Sequence, residues 1–202
     1  MSRTVDYFFA PPSPWAYLGH GRFVDMCERH GATVRVKPVD IGRIFALSGG
    51  LPLAQRPPQR QAYRLVELRR WSERLGVPLN LHPKGFPVAG NDASLRIVAA
   101  DLCEGTDAAL RYTGALMRAV WAEERSIADA ATLDAIARDC GLDTEALAAR
   151  AADAATRFEA YTQEAIEGQV FGAPWYVVDG EPFWGQDRLD FVDAALARGI
   201  DG

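Results

Sequence analysis

The first 38 residues constrain the fold most, because they predict a strand, a helix and a second strand in close succession. Thr4–Phe9 is β-branched and aromatic and is followed by two prolines within three residues, which indicates a strand. Ser13 is a capping residue and Pro14 suits the first helical position, so a helix is expected from there to His30. Residues 32–36 alternate as a second strand. Such a β-α-β unit packs as a right-handed crossover onto a parallel sheet.

After the second strand the pattern becomes helical. Residues 40–47 form a short apolar segment, residues 48–58 a loop rich in glycine and proline, and residues 59–75 a strong amphipathic helix. Residues 92–155 are rich in alanine and predict several helices. The breaks fall near Gly105, Ser126 and Gly141. We therefore expect an all-helical block here.

The last part of the chain returns to a mixed pattern. It predicts a helix over residues 158–167, a loop over 168–172, strands over 174–178 and 181–184 joined at Asp179-Gly180, and a closing helix over 186–198. The whole order is that of an α/β protein with a thioredoxin-like fold and a helical domain inserted after the second strand. Residues 1–38 and 157–202 then form the thioredoxin-like domain, and residues 39–156 the inserted domain.

Charge and cysteine content exclude several classes of protein. A formal net charge of −5 argues against a nucleic-acid partner. No stretch approaches the roughly 18 apolar residues of a membrane span, and the start does not read as a signal peptide. Cys27, Cys103 and Cys140 are widely spaced, so no metal site is expected, and their odd number suits a reducing compartment. We expect a cytoplasmic protein with no membrane partner.

Ser13 occupies the position that is reactive in a thioredoxin-like arrangement. Unpaired N–H groups and the positive end of the first helix stabilise an anion there. A redox protein would need a cysteine at this position and another three residues on, and the chain has neither, so disulfide exchange by its own residues is excluded. Two interpretations stay open: Ser13 only caps the helix, or its hydroxyl also donates a hydrogen bond to a thiolate that a ligand brings.

Two further segments are candidates for ligand binding. Pro174 starts a strand just after Gly172 and Ala173, which suits a cis bond, although an ordinary trans proline fits the same pattern. Gly185 would let the backbone approach a ligand closely. Asp187 can accept a hydrogen bond from a ligand ammonium group or can cap the closing helix.

Taken together, these segments resemble a known family. The shared runs are SPWAYL from residue 13, LRRW from 68, LGVP from 75, AVW from 119, VFGAP from 170 and FWGQDRL from 183. They are similar to those of the glutathione-dependent 2-hydroxychromene-2-carboxylate isomerases, relatives of the kappa-class glutathione transferases. The resemblance spans nearly the whole chain. It implies glutathione as cofactor, a small aromatic carboxylate as substrate and a homodimer.

The resemblance also implies roles for individual residues on the glutathione side. Ser13 corresponds to the serine that contacts the glutathione sulfur and is the expected catalytic residue. Ala173, followed by Pro174, corresponds to the residue whose backbone pairs with the tripeptide. The γ-glutamyl end is expected at a run of four residues: Trp184, Gly185, Gln186 and Asp187.

On the substrate side the resemblance points to Phe45, Gln55, Arg56 and Phe86. Phe45 stands where the family has a lysine that would pair with the substrate carboxylate, so Arg43 and Arg56 are the candidates to replace that charge. Two alternatives stay open: a kappa-class-like glutathione transferase or peroxidase, and a non-catalytic thioredoxin-like binding module.

Overall fold

A four-stranded mixed sheet forms the centre of the protein in a computed structural model that describes residues 3–198. The strands are β1 (Thr4–Phe9), β2 (Thr33–Pro38), β3 (Trp175–Val178) and β4 (Glu181–Trp184). Their order is β2-β1-β3-β4; β1 and β2 are parallel, and the two other pairs are antiparallel. Helix α1 (Pro14–His30) connects the two parallel strands. The β-α-β unit and the thioredoxin-like α/β fold expected from the sequence are confirmed.

The other helices largely follow the sequence pattern. They are α2 (Ile41–Ser48), α3 (Pro58–Leu75), α4 (Asn91–Glu104), α5 (Thr106–Trp121), α6 (Ala130–Asp139), α7 (Thr144–Ala149), α8 (Ala151–Glu167) and α9 (Leu189–Ala197), with short 3-10 turns at Leu53–Gln55 and Gln186–Arg188. The closing helix therefore begins with a 3-10 turn. Within residues 3–198, no helix is long and apolar enough to cross a membrane.

Helix α8 differs from the expectation of two separate helical pieces around residue 156. It runs without interruption because no glycine or proline occurs within it. Ala154, Phe158, Thr162 and Ala165 form its buried face at spacings of three and four residues. The boundary drawn from the sequence between residues 156 and 157 therefore lies inside this helix.

The two faces of strand β1 enter separate apolar clusters, because successive side chains point to opposite sides of a sheet. Tyr7 stacks on Tyr176 with ring centroids 5.3 Å apart and packs against Phe23 of α1 at 4.6 Å. Phe8, on the opposite face, packs with Ile44 of α2 and other residues of the second cluster. Helix α1 is thus fixed on one face of the sheet, with its N-terminus at the end of β1.

Candidate functional site

Ser13 is the N-cap of α1, which agrees with both interpretations of the sequence. Its Oγ accepts a hydrogen bond from the backbone N–H of Ala16 at 3.2 Å. The same oxygen donates a hydrogen bond to the carbonyl oxygen of Ala173 at 3.3 Å. The peptide bond between Ala173 and Pro174 is cis, the first of the two alternatives that the sequence left open. Two features 160 residues apart in the chain therefore form one site.

The start of α1 favours a bound anion. The helix is 17 residues long and has no acidic side chain in its first turn. No side chain of that first turn therefore neutralises the partial positive charge at this end of the helix. Pro14 has no N–H group, so the hydroxyl of Ser13 and the remaining backbone N–H groups of the first turn are the donors there.

The end of β4 lies beside the cis-proline. The backbone N–H of Gly185 donates to the carbonyl oxygen of Pro174 at 3.0 Å. Gly185 has φ +99°, a conformation that favours glycine, and a Cβ there would be 2.5 Å from Oδ1 of Asp187. The half-exposed indole of Trp184 lies against Gly172, where a Cβ would collide with its nitrogen. Residues 172–174 and 184–187 are therefore neighbours.

Gln186 is the buried member of this group, with only 1% of its surface exposed. Its Oε1 accepts a hydrogen bond from the Arg22 guanidinium at 3.3 Å, whereas its Nε2 has no hydrogen-bond partner among the described residues. An unpaired buried amide costs about 1–3 kcal/mol, so an acceptor supplied by a ligand would be favourable. Asp187 is exposed and forms an ion pair with Arg188 at 2.9 Å.

His20 lies on α1 but is not a base for Ser13. Its Nε2 lies 3.0 Å from the carbonyl oxygen of Leu110 and its Nδ1 lies 3.4 Å from the hydroxyl of Tyr7. Burial lowers the pKa of His20 to about 4, so the ring is neutral near pH 7. Both ring nitrogens are engaged in the core, and the role of His20 is structural.

The cysteines are also unsuited to chemistry at this site. Cys27 lies about four turns beyond Ser13 on α1, at 3.6 residues per turn. Burial raises the pKa of its thiol to about 12, which keeps it protonated. Cys103 and Cys140 lie in the helical block, and all three are free. No group of three potential metal ligands occurs among the described residues.

On the substrate side, the structure brings three of the four expected residues together. A pocket of about 410 Å³ is lined by Gly42, Phe45, Ala46, Gly49, Gly50, Leu51, Pro52 and Gln55. The Arg56 guanidinium lies 5.8 Å from the centre of the Phe45 ring, and its Nε donates to the carbonyl oxygen of Leu51 at 2.8 Å. Arg43 instead forms an ion pair with Glu159 at 2.5 Å, so Arg56 is the better candidate to replace the lysine.

Phe86, the fourth expected residue, packs against Trp121 with ring centroids 4.7 Å apart. A residue that the sequence reasoning missed lies over both rings: the Arg64 guanidinium carbon is 5.5 Å from the Phe86 centroid and 5.7 Å from that of Trp121. The sequence does not mark Arg64 as a site residue. Glu67 follows three residues later, and that spacing predicts an ion pair between the two on the helix surface. In the structure Glu67 pairs with Arg70 at 2.6 Å. The spacing of charges along α3 therefore gave no sign that the side chain of Arg64 is partly buried.

The chain segment that carries Phe86 is held against the start of α1. At one end, the hydroxyl of Tyr17 donates to the carbonyl oxygen of Pro78 at 2.7 Å. At the other end, Gly90 packs on Pro12, where a Cβ at position 90 would be 2.5 Å from Cδ of the proline. Tyr17 and Pro12 flank Ser13 in the chain, so this segment connects the aromatic residues to the serine side.

Comparison with known proteins agrees with this geometry. Residues 4–197 match the family model of the DsbA-like thioredoxin domain. The chain is 32% identical over 200 residues to the 2-hydroxychromene-2-carboxylate isomerase of Pseudomonas putida, covering 96% of this chain and 94% of that protein. The chain belongs to the DsbA-like thioredoxin family, and within it to the 2-hydroxychromene-2-carboxylate isomerases.

Two further relatives of this isomerase family support the assignment. The 2-hydroxychromene-2-carboxylate isomerase of Sphingobium xenophagum is 29% identical over 199 residues, covering 97% of this chain and 99% of that protein. A solved structure of a 2-hydroxychromene-2-carboxylate isomerase superposes with a TM-score of 0.77 at 27% identity, covering 96% of this chain and 95% of the other. The resemblance inferred from the sequence motifs is confirmed, and the family is one of isomerase enzymes.

Proposed function

We propose that the protein is a glutathione-dependent isomerase. Its substrate is 2-hydroxychromene-2-carboxylate, converted to trans-o-hydroxybenzylidenepyruvate, or a related aromatic carboxylate. The observation that carries this proposal is the contact between Ser13 and Ala173 at the start of α1, which joins an anion-stabilising helix end to the residue before a cis-proline. Since glutathione is a thiol of the reducing cytoplasm, we place the reaction there.

The residues around Ser13 suit a glutathione molecule lying across the two segments. Its sulfur is assigned to the hydroxyl of Ser13 and its central peptide to the backbone of Ala173. Its γ-glutamyl end is assigned to Gln186, whose Nε2 has no partner within residues 3–198, and to the exposed carboxylate of Asp187, which suits an ammonium group. Trp184 supplies a half-exposed apolar surface beside them.

When bound, glutathione supplies a thiol that adds reversibly to an unsaturated carbon of the substrate, permits rotation about the bond that is temporarily single, and leaves unchanged. The protein must hold that thiol as thiolate near pH 7, although a free thiol has a pKa of about 8.5. The N-terminus of α1 favours the negative charge. Orientation of the two reactants in one site adds an effective-molarity gain.

Ser13 stabilises the thiolate by rotation of its hydroxyl group. Its oxygen can keep accepting from the N–H of Ala16 while its O–H rotates from the carbonyl of Ala173 to the sulfur. The cap and the catalytic interaction therefore use different parts of the same hydroxyl. Serine does not attack the substrate in this mechanism, because within residues 3–198 its hydroxyl contacts only the backbone of Ala16 and Ala173, and both ring nitrogens of His20 are engaged in the core.

The substrate side provides apolar walls and positive charge. Phe45 and Phe86 offer ring faces to a planar aromatic acid, and Gln55 lines the pocket beside Phe45. Arg56, held by the carbonyl of Leu51, is placed to pair with a carboxylate. Its position over the Phe45 ring puts positive charge beside the residue that replaces the family lysine.

Three measurements on the purified protein test the proposal. Isomerisation of 2-hydroxychromene-2-carboxylate should require glutathione and should not consume it. Conjugation of a chloronitrobenzene with glutathione, without isomerisation, would instead indicate a kappa-class-like transferase. A binding module without glutathione chemistry would give no heat of glutathione binding in calorimetry and no isomerisation, and that pair of results would reject the proposal.

A further inference from the structure

Arg64 is a partly buried cation without an anionic partner in the part of the chain that the structure describes. Its guanidinium lies over Phe86 and Trp121, at 5.5 and 5.7 Å from the two ring centroids. Within residues 3–198, no carboxylate pairs with it and no hydrogen bond satisfies it. Buried charges are ordinarily paired, because removing a charge from water is costly.

A second positive charge nearby makes the unpaired guanidinium of Arg64 still less favourable when no ligand is bound. Burial and the nearby positive charge of Arg56 lower the pKa of Arg64 to about 10. The two guanidinium groups therefore interact unfavourably across the substrate side. An anion placed between them would relieve both the repulsion and the missing pairing, and a carboxylate matches the donor geometry of guanidinium groups.

Three other arginines of α2 and α3 do not have this property. Arg70 of α3 pairs with Glu67, and Arg43 of α2 pairs with Glu159. Arg74 also lies over an aromatic ring, that of Trp71 at 5.7 Å, but its side chain is exposed to water. Arg64 is thus distinguished by its combination of burial, aromatic contacts and a missing partner.

We propose that Arg64, together with Arg56, binds the carboxylate of the aromatic substrate and makes the site selective for acids over neutral analogues. This assignment rests on the proposed function for the identity of the substrate. The ring of that substrate would lie against Phe45 and Phe86, which the same two arginines cover. Phe45 lacks the positive charge of the family lysine. Arg64 on α3 and Arg56, which follows the 3-10 turn, then supply that charge.

The test compares Arg64→Met with Arg74→Met in the full chain. Methionine keeps an unbranched apolar side chain over the ring and removes the charge. Each variant is titrated by calorimetry with trans-2-hydroxycinnamate and with its carboxamide. We expect Arg64→Met to weaken carboxylate binding about 10- to 100-fold and to change carboxamide binding less than about twofold, since one charge-assisted interaction is lost. Arg74→Met should match the wild type with both probes.

Equal losses for the two probes would show that Arg64 only packs the site and would overturn the assignment. The same conclusion follows if Arg64→Met leaves carboxylate binding unchanged, or if the wild type shows no preference for the carboxylate. Glutathione is titrated separately. If glutathione fails to bind the wild type while carboxylate selectivity still depends on Arg64, the proposed function fails and the role of Arg64 stands.

Discussion

The hydroxyl of Ser13 donates a hydrogen bond to the carbonyl oxygen of Ala173 at 3.3 Å, across the start of helix α1. This contact connects the first β-α-β unit to the strand pair at the end of the chain. The distance is long for a hydroxyl donor, so the bond is weak and the O–H group can turn to donate to a stronger acceptor. A thiolate is such an acceptor, which links the resting geometry to the proposed chemistry.

Replacing Asp187 with asparagine should weaken glutathione binding. The charge that pairs with the ligand ammonium is lost, and we expect about a tenfold rise in the Kd for glutathione by calorimetry. Binding of the aromatic acid should change much less. Asp153→Asn removes a comparable surface ion pair, with Arg150 at 2.9 Å, and serves as the control. An unaltered glutathione Kd in Asp187→Asn would contradict the placement of the γ-glutamyl end.

Two glycines of α1, Gly19 and Gly21, differ in their distance from Gln186 and can be compared as alanine variants. A Cβ on Gly19 would lie 2.7 Å from Cβ of Gln186, so Gly19→Ala should displace Gln186 and destabilise the fold by about 1–3 kcal/mol. A Cβ on Gly21 meets nothing within 4 Å, so Gly21→Ala should stabilise the helix by about 0.5–1 kcal/mol. Denaturant unfolding gives both values.

Glutathione binding extends that comparison. Gly19→Ala should weaken it because Gln186 is displaced, whereas Gly21→Ala should bind as the wild type does. If Gly19→Ala binds glutathione normally despite lower stability, Gln186 is not part of the cofactor site.

The buried His20 predicts acid sensitivity of the fold. Its pKa is about 4 in the folded state against about 6.5 in an unfolded chain, so between these values the unfolded state binds more protons. Stability should therefore rise with pH through this window. From pH 7 to pH 4.5, His20 should account for a loss of about 2–3 kcal/mol in the free energy of unfolding.

Urea unfolding of the wild type and His20→Gln at the two pH values measures this contribution. The glutamine side chain does not take up a proton in this pH range, and all other titratable groups are common to both proteins. The variant should therefore lose about 2–3 kcal/mol less than the wild type over that range. Equal losses would show that the pKa of His20 is not lowered in the folded state.

We also predict a symmetric homodimer, as the family resemblance implied. Large apolar side chains are exposed on α2, α3 and the loop between them, namely Leu47, Leu51, Tyr63 and Val66. Apolar surface of this kind is commonly covered by a second subunit. Sedimentation at micromolar concentration should give about twice the chain mass of 22.1 kDa. A single species at the chain mass would refute the dimer.

The parts of the fold that the sequence predicts well are those with strong local signals. Ser13 with Pro14 marks the start of α1, Gly31 ends it in a left-handed conformation, and Asp179-Gly180 marks the hairpin between β3 and β4. Each signal acts within a few residues, so it survives any tertiary arrangement. The same locality explains why Ser13 and the Ala173-Pro174 bond could be singled out before the contact between Ser13 and Ala173 was seen.

The parts that the sequence did not reveal depend on long-range packing. One exception is local: residues 40–47 suggest only an apolar segment, yet Asp40 caps a helix there, with Oδ1 accepting from the N–H of Gly42 at 3.0 Å. The unsatisfied environment of Arg64 depends on Phe86 and Trp121, which are distant in the chain. His20 shows no sequence pattern that distinguishes a core histidine from a base.

The titration of bound glutathione tests the central claim most directly. The ultraviolet thiolate absorbance of the bound cofactor is followed against pH in the wild type, in Ser13→Ala and in Asp129→Ala. Asp129 caps α6, where its Oδ2 accepts from the N–H of Thr132 at 2.9 Å, so its variant also loses a helix cap. Both variants should lose about 1 kcal/mol of stability.

Only Ser13→Ala should raise the pKa of the bound thiol, by about 1–2 units, because one charge-assisted hydrogen bond to the thiolate is lost. Superimposable titration curves for the wild type and Ser13→Ala would contradict the catalytic role of Ser13, whatever the change in melting temperature.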